Sequence, residues 1–143
     1  MNPYPLQGRI AVVTGGAGGF GAGVCQSLAE AGATVVITYN QSAARAEALA
    51  AALPGTGHWA AQAAVEESAS LAGLAEQVGT RFGRVDILVN NAGVTRYVAH
   101  DDLDGLDDET IDRIFRVNWR GAFATVRACL LYTSDAADDL YTV

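Results

Sequence analysis

Short apolar runs stand at 10–13 (IAVV), 34–38 (TVVIT) and 85–89 (VDILV), with a weaker one at 58–63 (HWAAQA). Runs of that length between turn residues read as buried strands. Between them lie amphipathic stretches over 24–31, 42–53 and 68–82, the second closed by Pro54-Gly55, whose apolar positions recur at helical spacing. The resulting order, β-α-β-α-β-α-β, implies parallel strands joined by right-handed crossovers. The expected fold class is therefore α/β: an open, doubly wound parallel sheet of the Rossmann type. A glycine turn after strand one predicts the strand order 3-2-1-4, with the ligand crevice at the carboxyl ends of strands one and four, where the order reverses.

A further helix is expected from Asp107. Asp107 and Asp108 supply an acidic first turn, and Ile111, Ile114, Phe115, Asn118, Ala122 and Val126 fall near one face. Asn118 is the polar member of that stripe. A buried amide must find hydrogen-bond partners, so periodicity leaves it as either structural glue or a site group. Arg113, Arg116 and Arg120, with Asp108, Glu109 and Asp112, read as a solvated, ion-paired helix face.

The turn itself, Thr14-Gly15-Gly16-Ala17-Gly18-Gly19-Phe20-Gly21, carries the chemistry. Between a strand and a helix, glycines permit a tight turn, let backbone N–H groups approach a pyrophosphate, and allow close helix packing. Two registers fit: Gly16-x-Gly18-x-x-Gly21, a generic dinucleotide fingerprint, and Thr14-Gly15-x-x-x-Gly19-x-Gly21, a narrower one.

Composition narrows the field. The 143 residues are one domain's worth, half of them hydrophobic, with no uninterrupted apolar run long enough to span a membrane. A net charge of −7 and the lack of a basic, aromatic-interleaved patch argue against nucleic acid. Met1 to Pro5 lacks the features of a signal peptide, so the expected location is cytoplasmic. Two cysteines make no disulfide framework, and Cys25 reads as a small core residue. His58 and His100 have no ligand partners at metal-binding spacing, so no metal is expected. All nine basic residues are arginine, and without a lysine beside its glycines the turn is not a P-loop.

Taken together, the Thr14–Gly21 turn, Asp86-Ile87-Leu88-Val89-Asn90-Asn91-Ala92-Gly93 after strand four, and Val117-Asn118 on the next helix resemble the short-chain dehydrogenases/reductases, in particular 3-oxoacyl-(acyl carrier protein) reductase-like members. The likeness covers about residues 6 to 128 and implies a Rossmann fold truncated after the helix that follows strand four. It implies an oxidoreductase that interconverts a carbonyl and an alcohol by hydride transfer on a small-molecule substrate, and whose complete parent is a homo-oligomer. It also implies a nicotinamide dinucleotide held by Thr14, Gly15, Gly19, Phe20 and Gly21, with Tyr39 and Asn40 at the ribose. Ala64, Val65, Asn91, Ala92, Gly93 and Val117 would line the rest of the crevice. Asn118 would belong to the catalytic relay, helping to hold a water in a proton path. By the same resemblance Trp119 and Phe123 are candidate dimer-interface residues.

Three departures matter. The family often has an aspartate where Ala64 stands, which would weaken adenine anchoring. About 20 residues beyond the glycines, where an acid would accept from the NAD 2′-hydroxyl, stand Tyr39, Asn40, Gln41 and Ser42. NADP is thereby favoured, with Asn40, Ser42 or Arg45 as phosphate partners and NAD left open. Finally, the family's Tyr-x-x-x-Lys pair cannot be assembled in a chain without lysine. Residues 129–138 (CLLYTSDAAD) read as the translation of a transposase-type sequencing-library adapter. The expectation is a dinucleotide-binding domain over 1–128, a non-native tail over 129–143, and a chain that is inactive. The alternatives are a non-catalytic nucleotide-binding module and a methyltransferase. The second is opposed by Asn90–Gly93 and by the lack of an acid beside the first glycines.

Overall fold

The computed structural model describes residues 3–130. Four parallel strands, β1 (Ile10–Val13), β2 (Thr34–Tyr39), β3 (Trp59–Gln62) and β4 (Ile87–Val89), form one sheet in the order β3-β2-β1-β4. The helices are α1 (Gly19–Glu30), α2 (Ala43–Ala52), α3 (Ser68–Phe82), α4 (Asp108–Phe115) and α5 (Ala122–Cys129), with a π-helical segment, Arg116–Gly121, between the last two. The doubly wound parallel sheet is the one the hydrophobic pattern predicts, and its strand order the one predicted from the glycine turn after strand one.

Both faces of the sheet are covered, which is why β1 and the centre of β2 are apolar at consecutive positions rather than alternating. Side chains still alternate in direction. Ile10, Val12 and Val36 join Leu74 and Val78 of α3 and Cys129 of α5 in one core cluster. Val13, Val35 and Ile37 join Cys25 and Ala29 of α1 and Ala46 of α2 in another. Cys25 is fully buried, as expected of a small core residue, and burial pushes its thiol pKa up to about 11. A third cluster, Val65, Leu71, Val117 and Ala124, lies beneath Ala92 and Val94.

Three features depart from the sequence expectation by more than a single residue at an element's end. Helix α1 begins at Gly19, earlier than position 24, because the close packing of Gly21 against the Gly15–Gly16 backbone seats a first turn of poor helix propensity. Strand β4 begins at Ile87 rather than at 85, because the Asp86 carboxylate takes the Ile10 N–H that a ladder carbonyl would otherwise accept. The helix after Asp107 is broken by its π segment, where Gly121 presses on Val65: a Cβ there would lie 2.9 Å from Val65 Cγ2. Thr125 donates its hydroxyl to the Gly121 carbonyl at 2.8 Å, satisfying an acceptor inside that segment.

Cys129, on the tail side of the expected boundary at Ala128, closes α5 and is 3% exposed; residues 131–143 lie outside the described residues. Among the described residues β4 pairs only with β1, so its other edge is open, and no helix is long and apolar enough to cross a membrane. The described residues hold no group of three potential metal ligands. His58 is locally bonded: Nδ1 accepts from Val35 N–H and Nε2 donates to the Pro54 carbonyl.

Asp86 anchors the N-terminal end of β1 to the start of β4. Its carboxylate accepts from Ile10 N–H at 2.8 Å, Arg9 Nη1 at 2.9 Å and Arg84 Nη2. Burial by itself would raise its pKa, but bonds from Arg84, Ile10 and Arg9 outweigh that and hold it below the usual carboxylate range. A depressed folded-state pKa contributes stability that is fully present above the unfolded value, about 3.9, and is lost as pH falls through the lower folded value. Asp86→Asn should therefore lower unfolding free energy at pH 7 by about 1–3 kcal/mol, the exposed guanidinium arms contributing the smaller part. Urea denaturation should show that deficit shrinking below about pH 4. A deficit of equal size at pH 7 and pH 3 would contradict this account of the carboxylate.

Candidate functional site

At the carboxyl ends of β1 and β4 the backbone must reverse within a few residues, and three of its glycines play different parts. Gly15 takes φ +61°, a left-handed conformation, and a Cβ there would lie 2.9 Å from Ala92 Cα. Gly21 is packed hardest: a Cβ would lie 2.6 Å from Asn91 Nδ2 and 2.7 Å from the Gly15 carbonyl. Gly19, by contrast, opens α1 with no protein atom within 4 Å of a built Cβ. Turn glycine, open glycine and packing glycine thus stand at 15, 19 and 21, the positions of the narrower register, while Gly16 of the generic register is packed as well, a Cβ there lying 3.0 Å from Ile37 Cγ2 and 3.1 Å from the Val13 carbonyl. Gly18 has no side chain with which to cap α1, so the first N–H groups of the helix are left for solvent or a ligand.

The turn is stitched to the end of β4. Thr14 Oγ1, in a residue 1% exposed, accepts from the N–H groups of Asn91 at 3.0 Å and Ala92 at 3.1 Å. It also approaches the Val89 carbonyl as a donor at 3.4 Å. The Asn91 side-chain amide returns the connection, donating to the carbonyls of Thr14 at 3.1 Å and Gly15 at 3.0 Å. On the other flank Thr38 of β2 accepts from Gly15 N–H through its hydroxyl and from Gly16 N–H through its carbonyl.

These ties frame two adjoining clefts. The larger, about 370 Å³, is lined by Gly15, Gly19, Phe20, Gly21, Asn40, Val65, Asn91, Ala92, Gly93 and Val117, all expected from the sequence, by Gly18 of the generic register, and by Ala63, Glu66, Val94 and Arg113, which were not expected. The smaller, about 320 Å³, is lined by Tyr39 and Asn40 as expected, by Ser42 and Arg45, and again by Arg113. Three expected site residues line neither cleft. Thr14 is beneath the floor with its hydroxyl engaged, and Ala64 turns its backbone N–H to Ser70 Oγ at 2.9 Å. Asn118 stands beside the larger cleft: its Oδ1 accepts from Val94 N–H at 2.8 Å and its Nδ2 donates to the Val94 carbonyl at 2.9 Å. It is also exposed, not buried as the apolar stripe implied. Both ends of that amide grip one backbone residue, so the structural-glue role is present in the geometry.

The expected ion-paired face on α4 does not form among the described residues, whose salt bridges are Arg9–Asp86 and Arg84–Asp86. Exposed helix pairs gain too little to compete with other surroundings. Arg120 donates to the Glu66 carbonyl at 2.8 Å, and Arg113 lies at both clefts. A signal for Arg113 did exist, since it precedes the cleft residue Val117 by four positions and so falls on the same helix face.

A profile of the short chain dehydrogenase family matches residues 9–137. The chain belongs to that family. An uncharacterized oxidoreductase of Methylorubrum extorquens is 39% identical over 86% of this chain and 49% of its own length. Among solved structures, a short chain dehydrogenase from Burkholderia cenocepacia in complex with NADP is 36% identical with a TM-score of 0.78, covering 90% of this chain and 52% of its own. The 3-ketoacyl-(acyl-carrier-protein) reductase of Brucella melitensis, complexed with NADH, is 35% identical with a TM-score of 0.80, covering 89% and 51%. The chain thus spans about half the length of the short chain dehydrogenases it matches.

The division of the glycines is testable by thermal melts. Gly21→Ala should destabilise the fold by about 1–3 kcal/mol, because its methyl has backbone on two sides. Gly19→Ala should stay within about 0.5 kcal/mol of the parent. Equal effects at the two positions would mean that the packing at Gly21 has been misread.

Proposed function

We propose that this chain is the cofactor-binding portion of an NAD(P)-dependent oxidoreductase that interconverts a carbonyl and an alcohol, and that in its 143-residue form it binds the dinucleotide without turning over substrate. The observation that carries this reading is the open space at Gly19. The first turn of a helix, with its N–H groups uncapped, faces a cleft at the point where the strand order reverses, and no side chain fills it. A pyrophosphate suits that position: it needs donors, a partial positive charge and close backbone approach. NADP is the preferred cofactor, because Tyr39 stands where a ribose-binding acid would be and the smaller cleft brings Asn40, Ser42 and Arg45 together. Related proteins bound to NADP and to NADH support the cofactor class.

Thr14 acts in this reading through the Asn91 and Ala92 backbone rather than by touching the ligand. Asn118 is proposed as a relay residue through its main chain. The side chain is fixed on Val94, and the residue sits within the π-helical segment beside the larger cleft, a kind of segment frequent at functional sites. What this chain lacks is a lysine to lower a tyrosine's pKa, so proton delivery to a developing alkoxide has no tuned donor, a contribution of roughly 10²–10⁴-fold in rate. In the complete parent, the exposed rings of Trp119 (72%) and Phe123 (62%) are proposed to lie in a homo-oligomer interface.

Residues 129–143 are proposed to be foreign to the gene, although the family match runs past Ala128 to residue 137. A genomic read continuing from that codon into a Tyr-x-x-x-Lys segment supports the proposal. The same tail codons recovered from independent genomic DNA overturn it. For the protein, titration by nicotinamide fluorescence should show NADPH bound more tightly than NADH, while simple ketones and acetoacetyl esters give no NADPH oxidation. Preference for NADH would reject the cofactor assignment. Steady turnover by the 143-residue chain would reject the proposed inactivity.

A further inference from the structure

We infer that Arg113 is a specificity-determining residue: a second cation, beside Arg45, for a phosphate carried on the adenosine ribose. The inference rests on the dinucleotide reading above and adds to it a residue from a different element. Arg45 lies on α2, next to strand β2, where a ribose partner is sought by counting from the glycines. Arg113 lies on α4, across the crevice, and nevertheless lines the same 320 Å³ cleft.

The charge balance of that cleft is one-sided. Its lining carries both arginines together with Asn40, Gln41 and Ser42, and no carboxylate among the described residues. Neither guanidinium is in an ion pair with a described residue. Glu109 has the helical spacing to pair with Arg113 but does not come within ion-pair distance, and the Ser42 hydroxyl makes no capping bond to α2. Two cations converging on one small concavity repel each other until an anion arrives, and an arginine fork matches the oxygens of a phosphate. A 2′-hydroxyl offers no charge to either of them. The pair therefore discriminates between dinucleotides differing only in that phosphate.

Arg113 also borders the larger cleft, where Glu66 is the carboxylate among the described lining residues. There the guanidinium could instead stack on adenine, and that alternative acts equally on cofactors with and without the extra phosphate.

The test is isothermal titration of the 143-residue chain and its variants with NADP⁺ and with NAD⁺. Arg113→Gln should weaken NADP⁺ by about 10-fold and leave NAD⁺ within about 2-fold. Arg113→Lys, which keeps the charge without the fork, should recover part of the loss. The NADP⁺ affinity of the parent should also fall more steeply with salt than that of Arg113→Gln. Equal weakening of both nucleotides would identify stacking and overturn the inference, as would unchanged NADP⁺ binding in Arg113→Gln. If the folded parent binds neither nucleotide, the dinucleotide reading itself falls and this inference with it. Binding of both nucleotides with no discrimination by Arg113 removes only the inference.

Discussion

One buried hydroxyl organises the ligand end of this sheet. Thr14 Oγ1 receives the N–H groups of Asn91 and Ala92, while the Asn91 amide holds the carbonyls of Thr14 and Gly15. The ends of β1 and β4 are themselves paired through Thr14 N–H on the Val89 carbonyl at 3.0 Å, but among the described residues only that exchange bonds the segment 91–92 to the turn. The left-handed Gly15, the tight Gly21 and the empty space at Gly19 all follow from the two chain segments being held this close. An apolar residue at position 14 would leave two backbone donors facing a dry interior, at a cost of about 1–3 kcal/mol each.

The other end of the same two strands is held by an unrelated device, the Asp86 carboxylate on the Ile10 N–H. The sheet's centre is thus fixed between a neutral hydroxyl network at the cleft and a charged clasp opposite. The charged clasp responds to pH, whereas the cleft network contains no titratable group.

Much of the fold was legible because burial on both faces leaves a distinct mark: consecutive apolar residues at 10–13 and 34–38, separated by helical stretches, admit few arrangements. The glycine turn marked the crevice, and most residues expected there do line it. What was not legible depended on side chains choosing among neighbours. The start of β4 moved because a carboxylate displaced a ladder carbonyl. The π segment was not legible either: Phe115, Asn118 and Val126 of the expected apolar stripe are exposed, and the buried face instead runs through Val117, Gly121, Ala124 and Cys129. The direction of Arg113 was overlooked because an exposed arginine between acidic residues looks like a surface pair, the four-residue step to Val117 being the one sign in the sequence of another use. Thr14 was placed against the ligand when it supports the residues that line the cleft.

The central claim is that the Thr14–Asn91 exchange, rather than the glycine turn alone, builds the cleft. Amide hydrogen exchange followed by NMR in Thr14→Val tests it most directly, with Thr14→Ser as the hydroxyl-retaining control. The account predicts that the amides of Asn91, Ala92, Gly15 and Gly16 lose protection in Thr14→Val while those of α3 keep theirs, and that Thr14→Ser behaves like the parent. Protection at Asn91 and Ala92 unchanged in Thr14→Val would contradict it.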